Sequence, residues 1–117
     1  MDDRNFPDVV KNLPMADLPF RGVNAWFIQG EKHQLVFFEI ETYAVIPEHI
    51  HPYDQWGVVV DGQMELTIDG KPRVVGKGDD YVIPANSKHG ARPLSRVRVI
   101  DFFSERNRYK AKPQSTE

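Results

Sequence analysis

Apolar residues in this chain come in short runs that alternate with polar ones, and each run ends at a glycine, proline or aspartate. Ala25 to Gln29 and Gln34 to Thr42 read as two strands joined around Gly30-Glu31-Lys32. Ala44 to His51 is a further extended segment, interrupted by Pro47. Gln55 to Val60, Gln63 to Asp69 and Lys71 to Val75 read as a meander. Its two turns carry Asp61-Gly62 and Asp69-Gly70, dipeptides that tolerate the positive φ of tight hairpins. Tyr81 to Pro84, Lys88 to Arg92 and Arg96 to Phe103 bring the total to about nine extended segments, enough to close a small barrel. No window of helical length carries a 3.6-residue apolar stripe. The pattern predicts an all-β sandwich or barrel.

The ends differ from the body. Residues 1–21 read as an N-terminal arm in which Pro7, Pro14 and Pro19 break any helix. Phe6, Val9, Val10, Leu13, Leu18 and Phe20 make the arm too apolar for a free tail, so it is expected to pack on the body or on a second subunit. The barrel is expected over residues 22–105, and residues 106–117 read as a polar, frayed tail. An arm crossing onto a neighbour would cover exposed strand edges, which predicts a homodimer.

Composition narrows the chemistry. The 117 residues amount to one domain. The formal charge of −2 and a pI near 6.1 exclude a strongly basic nucleic-acid footprint. The apolar runs are too short to span a bilayer, and Met1-Asp2-Asp3-Arg4 leads into no leader-like stretch, so neither membrane insertion nor a signal peptide is expected. With no cysteine, disulfides, thiolate metal sites and thiol nucleophiles drop out, which fits the cytoplasm. Any metal must be held by histidine, carboxylate or amide oxygen.

Three of the four histidines lie in two tight contexts, His49-Ile50-His51-Pro52-Tyr53-Asp54-Gln55 and Gly78 to His89. Residues i and i+2 of a strand share a face, so His49 and His51 can aim two imidazoles at one point. Gln55 can return to that point after a short loop, and a closed barrel would bring His89 alongside. Inward imidazoles in an apolar barrel are costly unless hydrogen-bonded or metal-bound. In Val97 to Phe103 the period of two puts Val97, Val99, Asp101 and Phe103 on one face. If the valines point inward, Asp101 does too, and a carboxylate there could serve as general acid or base. The alternatives are a vestigial pocket of hydrogen-bonded histidines, a Gln55 that only bonds a histidine, and an Asp101 paired with Arg92 or Arg98 or turned to solvent by a one-residue slip. Trp56 alternates away from Gln55 and is expected to face the opposite sheet or a dimer surface. Arg92, Arg96 and Arg98 are expected on a solvated face with Glu39 and Glu41.

These residues carry a resemblance. His49-x-His51-x3-Gln55-x6-Gly62 resembles the first cupin motif, with Gln in place of Glu and Tyr43 in place of the opening glycine. Gly78-x5-Pro84-x-Asn86-x2-His89 resembles the second, with Asn86 for the usual glycine and Pro93 for the final asparagine. The resemblance implies a double-stranded β-helix, or jelly-roll barrel, and one divalent transition metal held by His49, His51, Gln55 and His89. Nickel, zinc, iron, manganese and copper all suit such ligands. A neutral amide leaves the ion about two positive charges where a carboxylate would leave about one, which strengthens its Lewis acidity and its attraction for anions. The stretch from His49 to Phe103 looks like the small pectin-degradation cupins, which open 4,5-unsaturated monouronates to linear keto forms. That similarity implies a small anionic substrate, Asp101 moving a proton, Phe103 lining the pocket, and Arg106 or Arg108 clamping the substrate carboxylate. A cupin dioxygenase using iron or copper and a non-catalytic metabolite-binding barrel are the alternatives.

Overall fold

A computed structural model describes residues 4–113. Nine strands follow one short helix, α1 (Asp8–Lys11). They are β1 (Val23–Gln29), β2 (Gln34–Ile40), β3 (Ile46–His49), β4 (Gln55–Asp61), β5 (Gln63–Ile68), β6 (Lys71–Gly76), β7 (Asp80–Ile83), β8 (His89–Pro93) and β9 (Val97–Phe103). They form two antiparallel sheets, of order β1-β2-β9-β4-β7 and β3-β8-β5-β6. This is the jelly-roll architecture that the strand pattern and its resemblance predict. Its inner faces carry Phe27, Val36, Phe38, Val59, Met64, Leu66, Val75, Ile83, Val97 and Val99, which pack as one core.

The nine segments fall close to their expected positions, but the meander does not exist. β4 and β5 belong to different sheets, so Asp61-Gly62 is a corner and not a hairpin. Gly62 has φ +82°, and a Cβ there would strike the Arg96 carbonyl. The true hairpin joins β5 to β6 at Asp69 (φ 49°) and Gly70 (φ 80°), a pair of positive φ values that suits the twist of the strands. β3 is irregular too. Its pairing with β8 shifts between Ile46 and His49. In a regular strand residues three apart face opposite ways. The extra residue lets both line the interior. Gly90 accommodates that bulge: a Cβ there would come within 3.0 Å of the Ile46 carbonyl and 3.1 Å of Glu48 N.

The arm does contain a helix, contrary to the expectation from its prolines. Pro7 stands just before α1, where a missing N–H costs nothing, and its carbonyl accepts from Val10 and Lys11. Pro14 lies beyond the turn. Phe6 and Val10 pack with Trp26 on the outer face of the five-stranded sheet, so the arm lies against its own barrel. Buried Glu39 fastens it, accepting from Phe6 N at 2.7 Å and pairing with Arg96 at 3.3 Å. Arg96 also bonds Glu41, while Arg98 pairs with Asp61 and Arg92 with Glu65. Arg96 therefore meets its acids at a buried Glu39 and Arg98 lies largely buried against Asp61, whereas Arg92 is on the other sheet and solvated beside Glu65. Trp56 is half exposed on the outer face of its sheet, stacked on Phe102, and does not face the other sheet.

Residues 106–113 are not frayed. Asp17 N donates to the Lys110 carbonyl and Lys112 N to the Met15 carbonyl, while Ala16 bridges Ala111. Gln34 accepts from Tyr109 N and donates to its carbonyl. Apolar and hydrogen-bonding partners near the start of the chain hold this stretch, and its polar composition conceals them. The remainder of the expected tail, 114–117, and residues 1–3 of the arm lie outside the described residues. Among the described residues no helix is long and apolar enough to cross a membrane.

Candidate metal centre

The histidines converge. His49 and His89 are register partners on adjacent strands. His51 lies just beyond β3 and not within it, where Asn86 N donates to its carbonyl at 2.8 Å. Asn86 adopts φ 67°, the left-handed conformation that Asn tolerates in place of glycine. One nitrogen of each of the three rings lies within 4.8 Å of the others. Each Nδ1 donates to a backbone carbonyl at 2.9 Å: His49 to Pro47, His51 to Tyr53 and His89 to Ser87. A carbonyl only accepts, so Nδ1 carries the proton and Nε2 the lone pair in all three. Such a bond from the nitrogen that faces away from the ion is what metal-ligating histidines use to fix their tautomer.

The unsatisfied atoms point the same way. His89 Nε2 is buried with no partner among the described residues. His51 Nε2 faces Gln55 Oε1 at 3.2 Å, so two lone-pair atoms confront each other, which a cation between them would satisfy. His49 Nε2 differs, since Arg108 Nη2 donates to it at 3.4 Å, a long bond that an ion held by His49 would displace. Burial pushes the His89 imidazole down to about 4 and lowers that of His51, so both are neutral, ligand-competent rings at neutral pH. The donor set fits one divalent ion held by three imidazoles, with the Gln55 amide oxygen adjacent.

Asp101 faces inward from β9, with Val97, Val99 and Phe103 on the same side. It makes no ion pair with Arg92 or Arg98, and its Oδ2 accepts from Gln55 Nε2 at 3.0 Å. Complete burial raises its pKa from 3.8 to about 7, although bonds from Tyr81 and Gln55 and the charge of Arg108 oppose the rise. Phe103 sits edge-on to His51 with ring centroids 6.2 Å apart. Arg108 lies among the rings of Tyr53, Phe103 and Tyr109 and donates to Tyr53 Oη at 3.1 Å. Its Nε is buried without a partner. Burial works to lower its pKa, but Tyr109 and Tyr53 together outweigh this and raise it, so it is a permanent cation. Arg106 is elsewhere. It donates to the Glu31 carbonyl at the β1–β2 turn and does not line the cavity.

The site thus unites His49, His51, Gln55, His89, Asp101, Phe103 and Arg108, and leaves Arg106 out. Sequence reading missed Tyr53, which stacks on His51 at 4.2 Å, and Tyr81, which donates to Asp101. The signal for Tyr81 was its alternation with Ile83, an inward position. Beyond the polar groups the cavity is walled by Leu18, Phe20, Phe38, Ile46, Met64 and Leu66.

A jelly roll with histidines from both motifs at its mouth defines a class, and the cupin domain family profile matches residues 36–103: the chain belongs to the cupin family. Within it, the chain is similar to the pectin degradation protein KdgF of Dickeya dadantii, 36% identical over 63 residues, 52% of this chain and 57% of that one. The structure of KdgF from Halomonas sp. superposes with a TM-score of 0.74 at 30% identity, covering 83% of this chain and 92% of the other. Quercetin 2,3-dioxygenase of Bacillus subtilis is 31% identical over 80 residues, 67% of this chain but 24% of that protein. This chain therefore spans a quarter and somewhat over half of these two curated relatives. An RmlC-like cupin from Shewanella frigidimarina, 22% identical, shares the fold with a TM-score of 0.76 over 92% of this chain and 95% of that one.

Proposed function

We propose that this cupin is a cytoplasmic metal-dependent enzyme that moves a proton on a small, carboxylate-bearing, sugar-derived substrate, with ring opening of 4,5-unsaturated uronates as the specific reaction. The observation that carries the reading is Asp101. A carboxyl with a pKa near neutrality lies one amide away from three convergent histidine nitrogens. Such a group populates both its acid and its base form at neutral pH, as a proton-transfer catalyst requires.

His49, His51, Gln55 and His89 would hold the ion, which when bound supplies Lewis-acid polarisation of a substrate oxygen. Arg108 offers a planar fork, with Nε still unpaired, to a substrate carboxylate. Arg106 has no part in this. Phe103 and Tyr53 exclude water from the reacting end, which strengthens both charge contacts. Asp101 then gives or takes the proton. The similarity to KdgF supports this reading. The test is incubation of the metal-loaded protein with an unsaturated uronate, following the loss of enol-ether absorbance. Acceleration by wild type that Asp101→Ala abolishes is expected, and no acceleration by wild type overturns the proposal.

The apolar far wall favours a second reading. Leu18, Phe20, Phe38 and Met64 suit a flat apolar molecule better than a sugar ring. On that reading the protein is a dioxygenase using iron or copper, and oxygen uptake with an aromatic enol separates the two. Tight ligand binding without turnover would mark a non-catalytic binding barrel. A homodimer belongs to the same proposal. The outward row Val82, Trp56, Phe102, Leu35 and Ile28 crosses all five strands of one sheet, and the described part of the arm packs elsewhere.

A further inference from the structure

Tyr81 and Gly57 have so far no role. Asp101 on β9 pairs with Gly57 on β4, and Gly57 pairs with Tyr81 on β7. Neighbouring strands lie about 4.8 Å apart, so the backbones of Asp101 and Tyr81 are roughly 10 Å from each other. Their side chains meet only because nothing stands between them. A Cβ on Gly57 would collide with both Asp101 Oδ1 and the Tyr81 ring. Gly57 is not among the glycines of positive φ, so space and not backbone conformation demands it.

The pair has a consequence for Gln55. Tyr81 Oη donates to Asp101 Oδ1 at 2.5 Å, and Gln55 Nε2 donates to Asp101 Oδ2 at 3.0 Å. Each carboxylate oxygen is held by one donor. A side-chain amide has a donating end and an accepting end. With its NH2 committed to Asp101, Gln55 must turn Oε1 toward His51 Nε2, where it lies at 3.2 Å. The opposite orientation would aim N–H groups at the point where the histidine lone pairs converge, and no cation binds an N–H.

We propose that Tyr81 is a positioning residue for Gln55: by gripping Asp101 across the gap at Gly57, it fixes the amide oxygen toward the metal position. The inference rests on reading the three histidines as a metal centre. Outer-shell partners of this kind are worth about 10- to 100-fold in metal affinity.

The test uses wild-type, Tyr81→Phe and Asp101→Asn proteins, stripped with chelator and titrated with nickel by calorimetry. The Gln55 side-chain amide is followed by proton–nitrogen NMR before nickel is added. The expected result is about tenfold weaker nickel binding by Tyr81→Phe, together with displaced Gln55 amide resonances. Asp101→Asn, whose own NH2 can reverse the Gln55 amide, should weaken binding by a similar factor, and it decides the matter if Tyr81→Phe does not fold. Nickel affinity within twofold of wild type in the folded variants overturns the proposal. So does weakened binding with unmoved Gln55 resonances, which would mean general loosening. A wild type that binds no nickel overturns the metal-centre reading and this inference together, whereas a wild type that binds nickel no better than Tyr81→Phe overturns only this one.

Discussion

Replacing Asp101 by Asn should make the metal-free protein more stable, and increasingly so as the pH rises. Asp101 is completely buried, and its pKa lies at about 7 in the fold against 3.8 for an ordinary carboxyl. The folded state therefore holds a proton that the unfolded chain has lost. For an acid whose pKa rises on folding, the stabilisation is fully present below 3.8 and is lost as the pH climbs to about 7. The whole interval corresponds to about 4 kcal/mol, and the part between pH 5 and pH 7 to roughly 2 kcal/mol. Asn is neutral throughout and close in shape, and its oxygen can still accept from Tyr81. His51 and His89 also titrate on folding, but both proteins contain them, so their contribution cancels in the difference. Urea denaturation of wild type and Asp101→Asn with EDTA at pH 5, 6, 7 and 8 measures that difference. It should grow by roughly 2 kcal/mol from pH 5 to pH 7 and then level off. A difference that stays constant across the range refutes the buried, half-titrated carboxyl, and with it the basis for assigning Asp101 the proton transfer. The stabilised variant should also lose turnover of the uronate.

Other consequences are open to measurement. His51→Ala should lose bound metal, read by elemental analysis of untagged protein, while wild type retains close to one divalent ion. Arg108→Gln should raise KM for a carboxylate substrate by about 10-fold or more with a smaller effect on kcat, because the lost charge-assisted bond is worth about 1.5–3 kcal/mol; an unchanged KM removes Arg108 from the binding role. Glu39→Gln weakens the bonds from Phe6 N and Arg96 that fasten the arm, and should cost about 1–3 kcal/mol in urea melts and open the arm to protease. Light scattering should report a dimer that Trp56→Lys dissociates, and a wild-type monomer refutes the dimer.

The strands could be read from the sequence because alternation is a local property. The period of two in β9 identified the inward face of Asp101 and Phe103 without any knowledge of neighbours. The ligand spacing could be read for the same reason. Pairing is not local. Nothing in the Asp61-Gly62 dipeptide distinguishes a hairpin from a corner between sheets, and the meander failed there. The bulge in β3 was equally hidden, since it depends on Gly90 across the sheet. Arg106 and Arg108 are two residues apart in a segment without periodicity, and distant partners, Gln34 holding Tyr109 and Gln29 and Glu31 holding Arg106, place Arg108 and not Arg106 in the cavity. The Tyr81–Asp101 bond joins strands that are not neighbours, so no pattern within either segment announces it.

The clasp between residues 15–17 and 110–112, with the bond from Ser104 N to the Asp54 carbonyl, means that Arg108 is carried by a strap tied on either side of it along the chain. Edits that never touch the cavity, such as clipping the strap after Asn107 or loosening its tie at Met15, would release the guanidinium from its cage of rings. The placement of this buried cation is therefore coupled to the integrity of two segments some ninety-five positions apart along the polymer, and any role it has in binding would vanish with that tie while the barrel itself stayed intact.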